Sequence, residues 1–513
     1  MMTRRRFSAA VAAAPLLLRG QSRSLSARIL IDPERVIGSI DPMLYGNFTE
    51  HLGRCIEGGI FDEGSPLSDS SGYRRDVLEA ARNLHVTQLR WPGGNFSSNY
   101  HWMDGIGPRD QRPKRLEMAW HTIEDNRFGT HEFLNYCELL GTQPYVCVNF
   151  GTGTWVEAQQ WVEYCNRSED TAMTELRRKN GRQKPWKVTL WGLGNEMDGP
   201  WQMGHRTADD YARFALEGAK MMKWTDPDIR LVASGSSFYP AREAWNDWNR
   251  TVLQQLKNHI EYISLHSYVG NRDGDYLAFA ACARDLEDRI RTTEGVIRSV
   301  VEPGGKPIYI AFDEYNVWYR AFGRDTDAGR NILEERYDLA DALVIGTLLN
   351  TFVNNAQIVK MANMAQLVNV IAPIFTNEKG LFRQTIYFPL QLFAANTRGS
   401  ALEVFVDSPT YSEKHYEKVP YLDVSASIDG RKLALNVVNR HPDQEVECVI
   451  EIQDAQLPAV LETSVVNGPD LKTGNDFGAE RIRTEPGTAN AGGNKLTWRF
   501  PAHSFTQIRG ALS

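Results

Sequence analysis

Several features that would specialise this chain are scarce or absent. The 513 residues include six cysteines, and none of them forms a Cys-x-x-Cys pair, which excludes a disulfide framework and a paired-thiol site. Beyond the N-terminal segment no run of about 20 apolar residues occurs, which excludes a membrane-spanning helix. The net charge of −7 provides no basic excess that would attract nucleic acid or anionic lipid. We therefore expect no nucleic-acid partner, and no membrane partner once any export signal is removed.

Motifs for metals and cofactors are also missing. His131 and Glu132 lack the second histidine of His-Glu-x-x-His, and the other histidines stand singly rather than in ligand spacing. Gly192 and Gly194 follow an apolar run, but Met197 stands where a dinucleotide-binding loop has its third glycine. The sequence therefore predicts no metal and no cofactor.

Residues 1–27 are similar to a twin-arginine export signal. The sequence TRRRF at 3–7 precedes a short apolar run at 9–18 and then a segment of small residues. The run is too short to span a bilayer, so it does not indicate a permanent membrane anchor. The pattern predicts export to the periplasm or the exterior. The alternative, a disordered basic N-terminus, predicts a cytoplasmic protein.

Eight short apolar runs occupy residues 41–395, and each is followed by a polar tip and an amphipathic helical stretch. The stretch 207–224 is typical, because Thr207 can cap a helix whose first turn is acidic. Strands that alternate with helices over this length favour a (β/α)8 barrel, also called a TIM barrel. The eight runs span 43–48, 86–90, 143–149, 188–194, 229–233, 262–266, 307–312 and 356–361.

The sequence pattern changes near residue 395. Residues 396–513 consist of alternating strand-like runs separated by Asp-Gly, His-Pro-Asp and Gly-Gly turns, with little helical periodicity. This pattern indicates an antiparallel β-sandwich domain of the jelly-roll kind. Residues 28–40 are also strand-like, and we expect them to pair with the sandwich, which would bring both ends of the chain into one domain.

Two glutamates end the fourth and seventh predicted barrel strands. They are Glu196 and Glu314, and the carboxyl ends of barrel strands are where chemistry takes place in such folds. Hydrolysis of a glycosidic bond needs two carboxyl groups, one to protonate the leaving group and one to stabilise or attack the anomeric carbon. Either glutamate alone would suit a salt bridge. Their joint placement on one barrel favours a catalytic pair.

Six motifs, in order along the chain, resemble those of the α-L-arabinofuranosidases of glycoside hydrolase family 51. The resemblance extends from about residue 28 to the C-terminus and includes both glutamates. The motifs are YGNFTEH at 45–51, RWPGGNF at 90–96, GLGNEMDGPW at 192–201, SLHSY at 264–268, FDEYNVWY at 312–319 and AQLVNVIAP at 365–373.

The resemblance implies a retaining mechanism with unequal roles for the two glutamates. Glu196 would act as the acid/base, and Glu314 would be the nucleophile that forms a covalent arabinosyl intermediate. Retention requires the two carboxyl groups to stand roughly 5 to 5.5 Å apart, whereas a separation near about 9 Å would indicate inversion. The distance between these carboxyl groups therefore tests the assignment.

The resemblance also implies which residues bind the sugar. Glu50 matches a residue that bonds furanose hydroxyls, with a structural salt bridge as the alternative, and Asn195 would bond the 2-hydroxyl. Tyr268 would orient the nucleophile. A tryptophan also suits a protein core, which is the alternative for both tryptophans in the set. The remaining matches are Asn95 after two glycines, Gln366 after the eighth run, and Trp102 and Trp318 as walls for the ring.

Substrate and assembly are further implications of the resemblance. The expected reaction is exo-acting removal of terminal non-reducing α-L-arabinofuranosyl groups from arabinan or arabinoxylan oligosaccharides. Family members are often homo-oligomers, such as hexamers, and we expect the same here. The alternatives are a β-glycan hydrolase, either endoglucanase or xylosidase, and a noncatalytic carbohydrate-binding protein on the same barrel.

Two departures from the family motifs leave both glutamates intact. The sixth run reads His-Ser-Tyr where the family often has His-Tyr-Tyr or His-Gln-Tyr, and its His266 also suits a buried structural histidine. Tyr315 stands where a tryptophan is familiar, which changes packing behind Glu314 and spares its carboxylate.

Overall fold

Eight parallel strands close into a barrel in a computed structural model that describes residues 25–239, 241–321 and 331–513. The seventh strand pairs with the eighth and the sixth, and the eighth pairs with the first, which closes the ring. All eight predicted runs overlap a barrel strand, so the predicted TIM barrel is confirmed. The strands, first to eighth, are Gly46–Phe48, Gln88–Trp91, Gln143–Cys147, Leu190–Leu193, Arg230–Ala233, Tyr262–Val269, Tyr309–Val317 and Val359–Ala365.

The lower interior of the barrel is filled by side chains from six of its strands and by Met43, which lies just before the first strand. These side chains form one buried cluster that consists of Met43, Tyr145, Leu190, Val232, Tyr262, Ala311 and Met361. Tyr145 donates a hydrogen bond from its hydroxyl to Asp313 Oδ2 at 2.7 Å. The apolar floor of the barrel is therefore in direct contact with the charged residues above it.

Helices cover the outside of the barrel. The helix predicted at 207–224 is observed at Ala208–Thr225, and Thr207 Oγ1 accepts a hydrogen bond from Asp210 N at 3.3 Å, as expected of an N-cap. No helix in the described part of the chain is long and apolar enough to cross a membrane. The helices are Arg75–Asn83, Thr130–Leu140, Trp155–Asn166, Ala172–Lys179, Ala208–Thr225, Arg242–Leu256, Tyr276–Ala280, Ala283–Val300, Leu339–Asn354 and Tyr387–Asn396.

The second domain is a nine-stranded, mostly antiparallel sheet. Its N-terminal strand pairs antiparallel with Ser400–Asp407 and parallel with Val446–Ile452. Side chains from all nine strands contribute to one apolar core, so the sheet folds over on itself as a sandwich does. The strands are Leu25–Ser39, Ser400–Asp407, Leu422–Asp429, Lys432–Asn439, Val446–Ile452, Val460–Val466, Thr484–Asn490, Lys495–Phe500 and Ser504–Ala511.

The N-terminal strand begins at Leu25, before the boundary predicted at residue 28. The twin-arginine motif and the apolar run of the predicted export signal lie outside the described residues. The structure therefore bears only on the last residues of that segment, which are part of the sheet.

Helix Leu339–Asn354 joins the two domains. Every residue from Leu339 to Val353 is buried, because one face of the helix packs on the barrel and the other on the sheet. Asn350 Nδ2 donates to the backbone oxygen of Asp423 at 3.1 Å, and Asn354 Nδ2 donates to that of Val424 at 2.9 Å. The barrel and the sheet thus share a buried interface.

A short hairpin, Arg115–Glu117 paired with Thr122–Glu124, extends from the loop after the second barrel strand. Its turn carries Trp120, which reaches over the open end of the barrel. Two other short pairs are Ile374–Asn377 with Gly380–Arg383, and Thr410–Tyr411 with Val419–Pro420.

Candidate active site

The two predicted carboxylates meet at the open end of the barrel. Glu314 lies within the seventh strand, and Glu196 follows shortly after the fourth. One carboxylate oxygen of each and a ring nitrogen of His266 all lie within 4.8 Å of one another. This spacing fits the roughly 5 to 5.5 Å of retaining glycosidases and is well below the 6.5 to 9.5 Å, roughly, of inverting ones.

Glu314 is buried and receives a hydrogen bond on each carboxylate oxygen. Arg90 Nη1 donates to Oε1 at 2.6 Å, and the Tyr268 hydroxyl donates to Oε2 at 2.8 Å. Because the Arg90 guanidinium keeps its charge and cannot accept a proton, its contact favours the carboxylate over a carboxylic acid. The sequence predicted that Tyr268 lies beside this carboxylate, and the structure brings the two together.

Glu196 lies in a different environment. The indole Nε1 of Trp201 donates to its Oε2 at 2.6 Å, and His266 Nδ1 lies 2.8 Å from its Oε1. Its φ of 45° is in the left-handed region that side-chain-bearing residues rarely adopt. The next residue is held by a hydrogen bond from Met197 N to Ser234 Oγ at 3.1 Å, which helps to fix this turn.

His266 links the two glutamates to a third carboxylate. Its Nε2 lies 3.2 Å from Asp313 Oδ1, while its Nδ1 lies 3.5 Å from Glu314 Oε2. Burial alone would lower the pKa of His266, but the charge of Glu314 and the bonds to Asp313 and Glu196 raise it well above its usual range. The raised pKa favours the imidazolium form of His266, which contacts three acids and so is more than the buried structural histidine that its sequence also suited.

Asp313 is the most enclosed of the three acids. Burial would raise its pKa, yet the charge of Arg90 and the hydrogen bond from His266 hold that pKa well below its usual range. Ser264 and Tyr145 donate hydroxyl hydrogen bonds to it as well. Asp313 thus stays charged under the two glutamates and helps to keep His266 protonated.

Arg90 belongs to one of the quoted motifs, but we did not predict it as a site residue. It ends the second predicted run, is fully buried, and donates from Nη1 to Glu314 and from Nη2 to Asn195 Oδ1 at 2.6 Å. Its guanidinium also lies 4.7 Å from the centre of the Phe48 ring. An arginine in an apolar run was the available signal, because a buried cation needs a buried acid.

A cavity of about 480 Å³ opens above this network. It contains both glutamates and most of the predicted sugar-binding residues, and aromatic side chains form much of its wall. The lining residues are Phe48, Glu50, Leu52, Gly94, Asn95, Trp120, Glu196, Trp201, Ser237, Tyr268, Glu314, Trp318, Leu333, Gln366 and Ile371.

Glu50 is buried in the wall of this cavity and accepts three hydrogen bonds. Phe96 N and Trp120 Nε1 donate to Oε1 at 3.0 and 3.1 Å, and Gln366 Nε2 donates to Oε2 at 3.0 Å. Burial, with the nearby charge of Glu314, raises the pKa of Glu50 to about 8 against these bonds. Among the described residues Glu50 is held by these three neutral donors and by no salt bridge.

The Glu50 carboxylate leaves no room for a side chain at Gly93 or Gly94, the two residues before Asn95. A Cβ on Gly94 would lie 2.7 Å from Glu50 Oε2, and one on Gly93 would lie 3.0 Å from Oε1. Because these glycines have no side chains, the Glu50 carboxylate can lie directly against their backbone.

The other predicted sugar-binding residues divide into those at the cavity and one that is not. Asn95, Gln366 and Trp318 line it, and Asn195 lies beside it. Trp102 is 1% exposed and does not line the cavity. Its ring stacks on Trp161 at 5.8 Å and its Nε1 donates to the Glu157 backbone oxygen at 3.0 Å. The prediction of Trp102 as a wall is wrong, and the core alternative holds.

Two tryptophans that we did not predict lie at the cavity instead. Trp120 comes from the turn of the short hairpin, and Trp201 is 48% exposed beside Glu196. Phe238, 40% exposed, packs edge-on against Trp201 with ring centres 5.3 Å apart. Trp201 ends a quoted motif, so the sequence contained a signal for it. Trp120 lies outside the motifs, and nothing in the sequence indicated that its hairpin folds over the barrel.

Glu196, His266 and Glu314 also form the one group of three potential metal ligands found among the described residues. Their atoms already have protein partners, since Arg90 and Tyr268 donate to Glu314 and Trp201 donates to Glu196. The contacts therefore suit proton transfer and carboxylate chemistry better than metal binding.

Comparisons with known proteins agree with this geometry. Two family models match, described as "Alpha-L-arabinofuranosidase 1 domain" over residues 80–275 and "Alpha-L-arabinofuranosidase C-terminal domain" over residues 313–504. The second begins inside the seventh barrel strand, so its boundary is not that of the sheet domain. Among curated relatives, an intracellular exo-alpha-(1->5)-L-arabinofuranosidase 1 of Bacillus subtilis is 39% identical, with 94% of this chain and 98% of that protein covered.

Solved structures show the same similarity. A GH51 α-L-arabinofuranosidase from Thermotoga petrophila has 40% identity and a TM-score of 0.88, with 94% of this chain and 100% of that chain covered. An arabinose complex of the Thermotoga maritima α-L-arabinofuranosidase has 38% identity and a TM-score of 0.86, with 94% and 99% covered. The chain belongs to the α-L-arabinofuranosidases of glycoside hydrolase family 51.

Proposed function

We propose that this glycoside hydrolase is a retaining exo-α-L-arabinofuranosidase in which Glu314 is the nucleophile and Glu196 the acid/base. The observation that carries the proposal is the close pair of carboxylates with unequal partners. Glu314 is held as a carboxylate by Arg90 and Tyr268. Glu196 lies on a turn at the cavity wall, where it can reach a leaving group.

In the first step, a Glu314 oxygen attacks the anomeric carbon while the bond from that carbon to the glycosidic oxygen breaks. Glu196, protonated at this stage, gives its proton to that oxygen, and the departing chain leaves as an alcohol. Arg90 and Tyr268 orient the attacking carboxylate, because each donor is directed at one of its oxygens.

In the second step, the Glu196 carboxylate removes a proton from water, and the water oxygen attacks the anomeric carbon. The bond to Glu314 breaks, arabinose leaves with its original configuration, and both glutamates return to their starting protonation states. His266 stays close to both carboxylates. Its positive charge stabilises Glu196 as an anion between the two steps.

Glu50, Gln366, Asn195 and Asn95 are proposed to bind the hydroxyls of the arabinofuranosyl ring. Burial raises the pKa of Glu50 to about 8, which favours the protonated form near neutral pH, and a carboxylic acid donates a hydrogen bond as well as accepting one. Asn195 has its oxygen occupied by Arg90, and one N–H of its amide donates to Gln202 Oε1 at 3.4 Å, so the other N–H is the donor left for a ligand. The walls formed by Trp120 and Trp318 supply apolar contact.

The substrate proposed for this site is the terminal, non-reducing α-L-arabinofuranosyl group of arabinan or arabinoxylan oligosaccharides. The names of relatives support it, since the Bacillus subtilis and Streptomyces lividans proteins are called exo-alpha-(1->5)-L-arabinofuranosidases. A cavity of about 480 Å³, walled by Glu50, Gln366 and Trp318 on its inner side, suits one terminal sugar better than a long chain.

Hydrolysis and trapping test these proposals separately. The wild type should release arabinose from an aryl α-L-arabinofuranoside and be far slower on an aryl xyloside and a soluble β-glucan. A slow fluorinated arabinofuranoside should leave its label on Glu314. A preference for the xyloside or the glucan would support the β-glycan hydrolase alternative instead. Label on a residue other than Glu314 would show that Glu314 is not the nucleophile.

The cellular location has arguments on both sides. Relatives from Bacillus subtilis, Streptomyces lividans and Halalkalibacterium halodurans are named intracellular, which favours the cytoplasmic alternative. The motif at 3–7 is the argument for export. Cell fractionation with N-terminal sequencing decides: periplasmic protein that begins near residue 25 would establish export. The proposed homo-oligomer is tested by light scattering, where a monomer would contradict it.

A further inference from the structure

The loop that leaves the seventh barrel strand forms part of the cavity wall. Its first residue, Trp318, donates from its backbone N–H to the Val269 oxygen at 2.8 Å. The Trp318 indole packs edge-on against Tyr268 with ring centres 5.4 Å apart. Tyr268 in turn donates to Glu314, so the position of Trp318 affects both the wall and the phenol that holds Glu314.

A buried carboxylate from a later part of the chain holds the backbone just after Trp318. Glu335 Oε1 accepts from the N–H groups of Tyr319 and Arg320 at 3.1 and 2.8 Å, and its Oε2 accepts from Ala321 N at 2.9 Å. Glu335 is 1% exposed, so these bonds to a charged acceptor are made away from water. One side chain thus fixes three consecutive backbone groups.

The backbone of Glu335 is tied to a second stretch of the wall. Its N–H donates to the oxygen of Leu333 at 2.9 Å, and its own oxygen accepts from Gln384 Nε2 at 3.0 Å. Leu333 lines the cavity and packs in one small apolar cluster with Ile371 and Trp318. Glu335 therefore joins the two segments that carry Trp318 and Leu333.

The cation nearest to Glu335 lies outside the cavity and is shared with two other acids. Arg320 Nη1 lies 3.6 Å from Glu335 Oε1 and 2.9 Å from Asp341 Oδ2, and Arg320 Nη2 donates to Asp338 Oδ2 at 2.9 Å. None of these four ionisable residues lines the cavity. Any effect of Glu335 on a bound sugar must therefore pass through the wall residues that it holds.

We propose that Glu335 is a positioning residue for the sugar site, which fixes the Trp318 indole against Tyr268 by holding the three N–H groups that follow it. The proposal rests on the proposed arabinofuranosidase function and deepens it. Glu335 contacts no reacting atom, so its loss weakens sugar binding more than it slows the chemical step. A carboxylate with a purely structural role would lower stability and leave sugar binding unchanged.

The first test compares two isosteric variants. Glu335→Gln should raise KM for an aryl arabinofuranoside about tenfold and change kcat less than about threefold, because charge-assisted bonds to the loop are lost. Glu413→Gln is the matched control, since Glu413 accepts from the N–H groups of His415 and Tyr416 in the sheet domain. The control should keep both constants. An unchanged KM in Glu335→Gln would overturn the proposal.

A double-mutant cycle shows whether Glu335 acts through Trp318. Trp318→Ala should raise KM by itself, and adding Glu335→Gln should then raise it no further. If the increases in KM from the two changes multiply in the double variant, the two residues act independently and the proposal is overturned. If Glu335→Gln fails to fold, Glu335→Asp, which keeps the charge on a shorter arm, takes its place in the same cycle.

Amide hydrogen exchange separates this proposal from the proposed function. Exchange at residues 319–321 should be faster in Glu335→Gln than in the wild type, whether or not the enzyme turns over. Unchanged protection at these residues would overturn the positioning role of Glu335 even in an active enzyme. If the wild type releases no arabinose, the proposed function fails, and L-arabinose binding followed by tryptophan fluorescence replaces KM in the cycle.

Discussion

The two sides of the cavity are built differently. On the Glu314 side, the carboxylate belongs to a barrel strand, is buried, and is surrounded by Arg90, Tyr268 and Asp313. On the Glu196 side, the carboxylate follows a strand on a strained turn, beside the half-exposed rings of Trp201 and Phe238. One side is fixed by charge within the barrel, and the other is formed by loops and aromatic rings.

This difference matches what the two proposed steps require. A nucleophile must keep its position and its charge, and buried donors directed at both oxygens provide that without rearrangement. An acid/base must reach leaving groups of different shapes and then a water molecule, which suits a carboxylate near the entrance. The contrast predicts that substitutions on the Glu314 side have larger effects than those on the Glu196 side.

The largest effect is expected for Glu314→Ala. Without a nucleophile no covalent intermediate forms, and kcat should fall by at least about 10⁴-fold. Stopped assays with an aryl arabinofuranoside measure it, and no burst of aryl product should appear. Glu132→Gln, a change in a buried carboxylate outside the cavity, is the control and should retain turnover. Substantial burst kinetics in Glu314→Ala would contradict the assignment.

Arg90→Met should produce the next largest effect. It leaves Glu314 and Asp313 buried without the Arg90 guanidinium, and removing one partner of a buried ion pair costs about 3–5 kcal/mol. The free energy of unfolding in urea measures the loss. Arg177 is the comparison, because it is equally buried but donates to the backbone oxygens of Tyr164 and Arg167. Arg90→Met should also lower kcat, whereas Arg177→Met should retain it. A similar loss of kcat in both variants would contradict a special role of Arg90 in the site.

On the other side of the cavity, Glu196→Ala should slow turnover about 10²- to 10³-fold, as expected for loss of general acid/base catalysis. The loss should be smaller for aryl groups that leave without a proton. Azide should restore the second step and yield an arabinosyl azide of retained configuration. Failure of azide to accelerate any substrate would argue that Glu196 is not the acid/base.

A smaller effect is expected for Trp201→Phe, which keeps a ring beside Phe238 and removes the indole N–H bonded to Glu196. Loss of one hydrogen bond should lower kcat/KM about two- to tenfold. The change should be greater for poor leaving groups, since these depend most on the acid. Trp224 is 78% exposed on the outer helix Ala208–Thr225, and Trp224→Phe should change nothing.

The barrel could be predicted from sequence because its strands are local apolar runs with helices between them. All eight runs overlapped a strand, although the seventh extends to Val317 and so includes Glu314 within it. The hairpin that carries Trp120 could not be predicted to cover the cavity. Its strands have three residues each, and their position depends on contacts with the barrel such as the Trp120 bond to Glu50.

The site could be predicted in part for the same reason. Strand-end position identified Glu196 and Glu314 as a pair, but the partners that distinguish them come from other strands. Arg90 and His266 belonged to the quoted motifs, yet only the closed barrel shows that both contact these acids. Trp102 was assigned to the wall because a tryptophan suits a core and a sugar site equally, and sequence does not separate the two.

The last prediction concerns Glu50, which lies between the two sides, and it affects stability rather than turnover. Its pKa is raised from 4.5 to about 8 in the folded protein, so above pH 4.5 the folded state retains a proton that the unfolded state has lost. The free energy of unfolding should therefore decrease as pH rises from 5 toward 8, by up to about 1.4 kcal/mol per pH unit from this group. Glu50→Gln removes that contribution, while His266 and Asp313 contribute equally to both proteins. Urea unfolding at pH 5.5 and 7.5 should show a smaller pH difference in the variant. Equal differences would mean that Glu50 is ionised in the fold and that its three donors outweigh its burial.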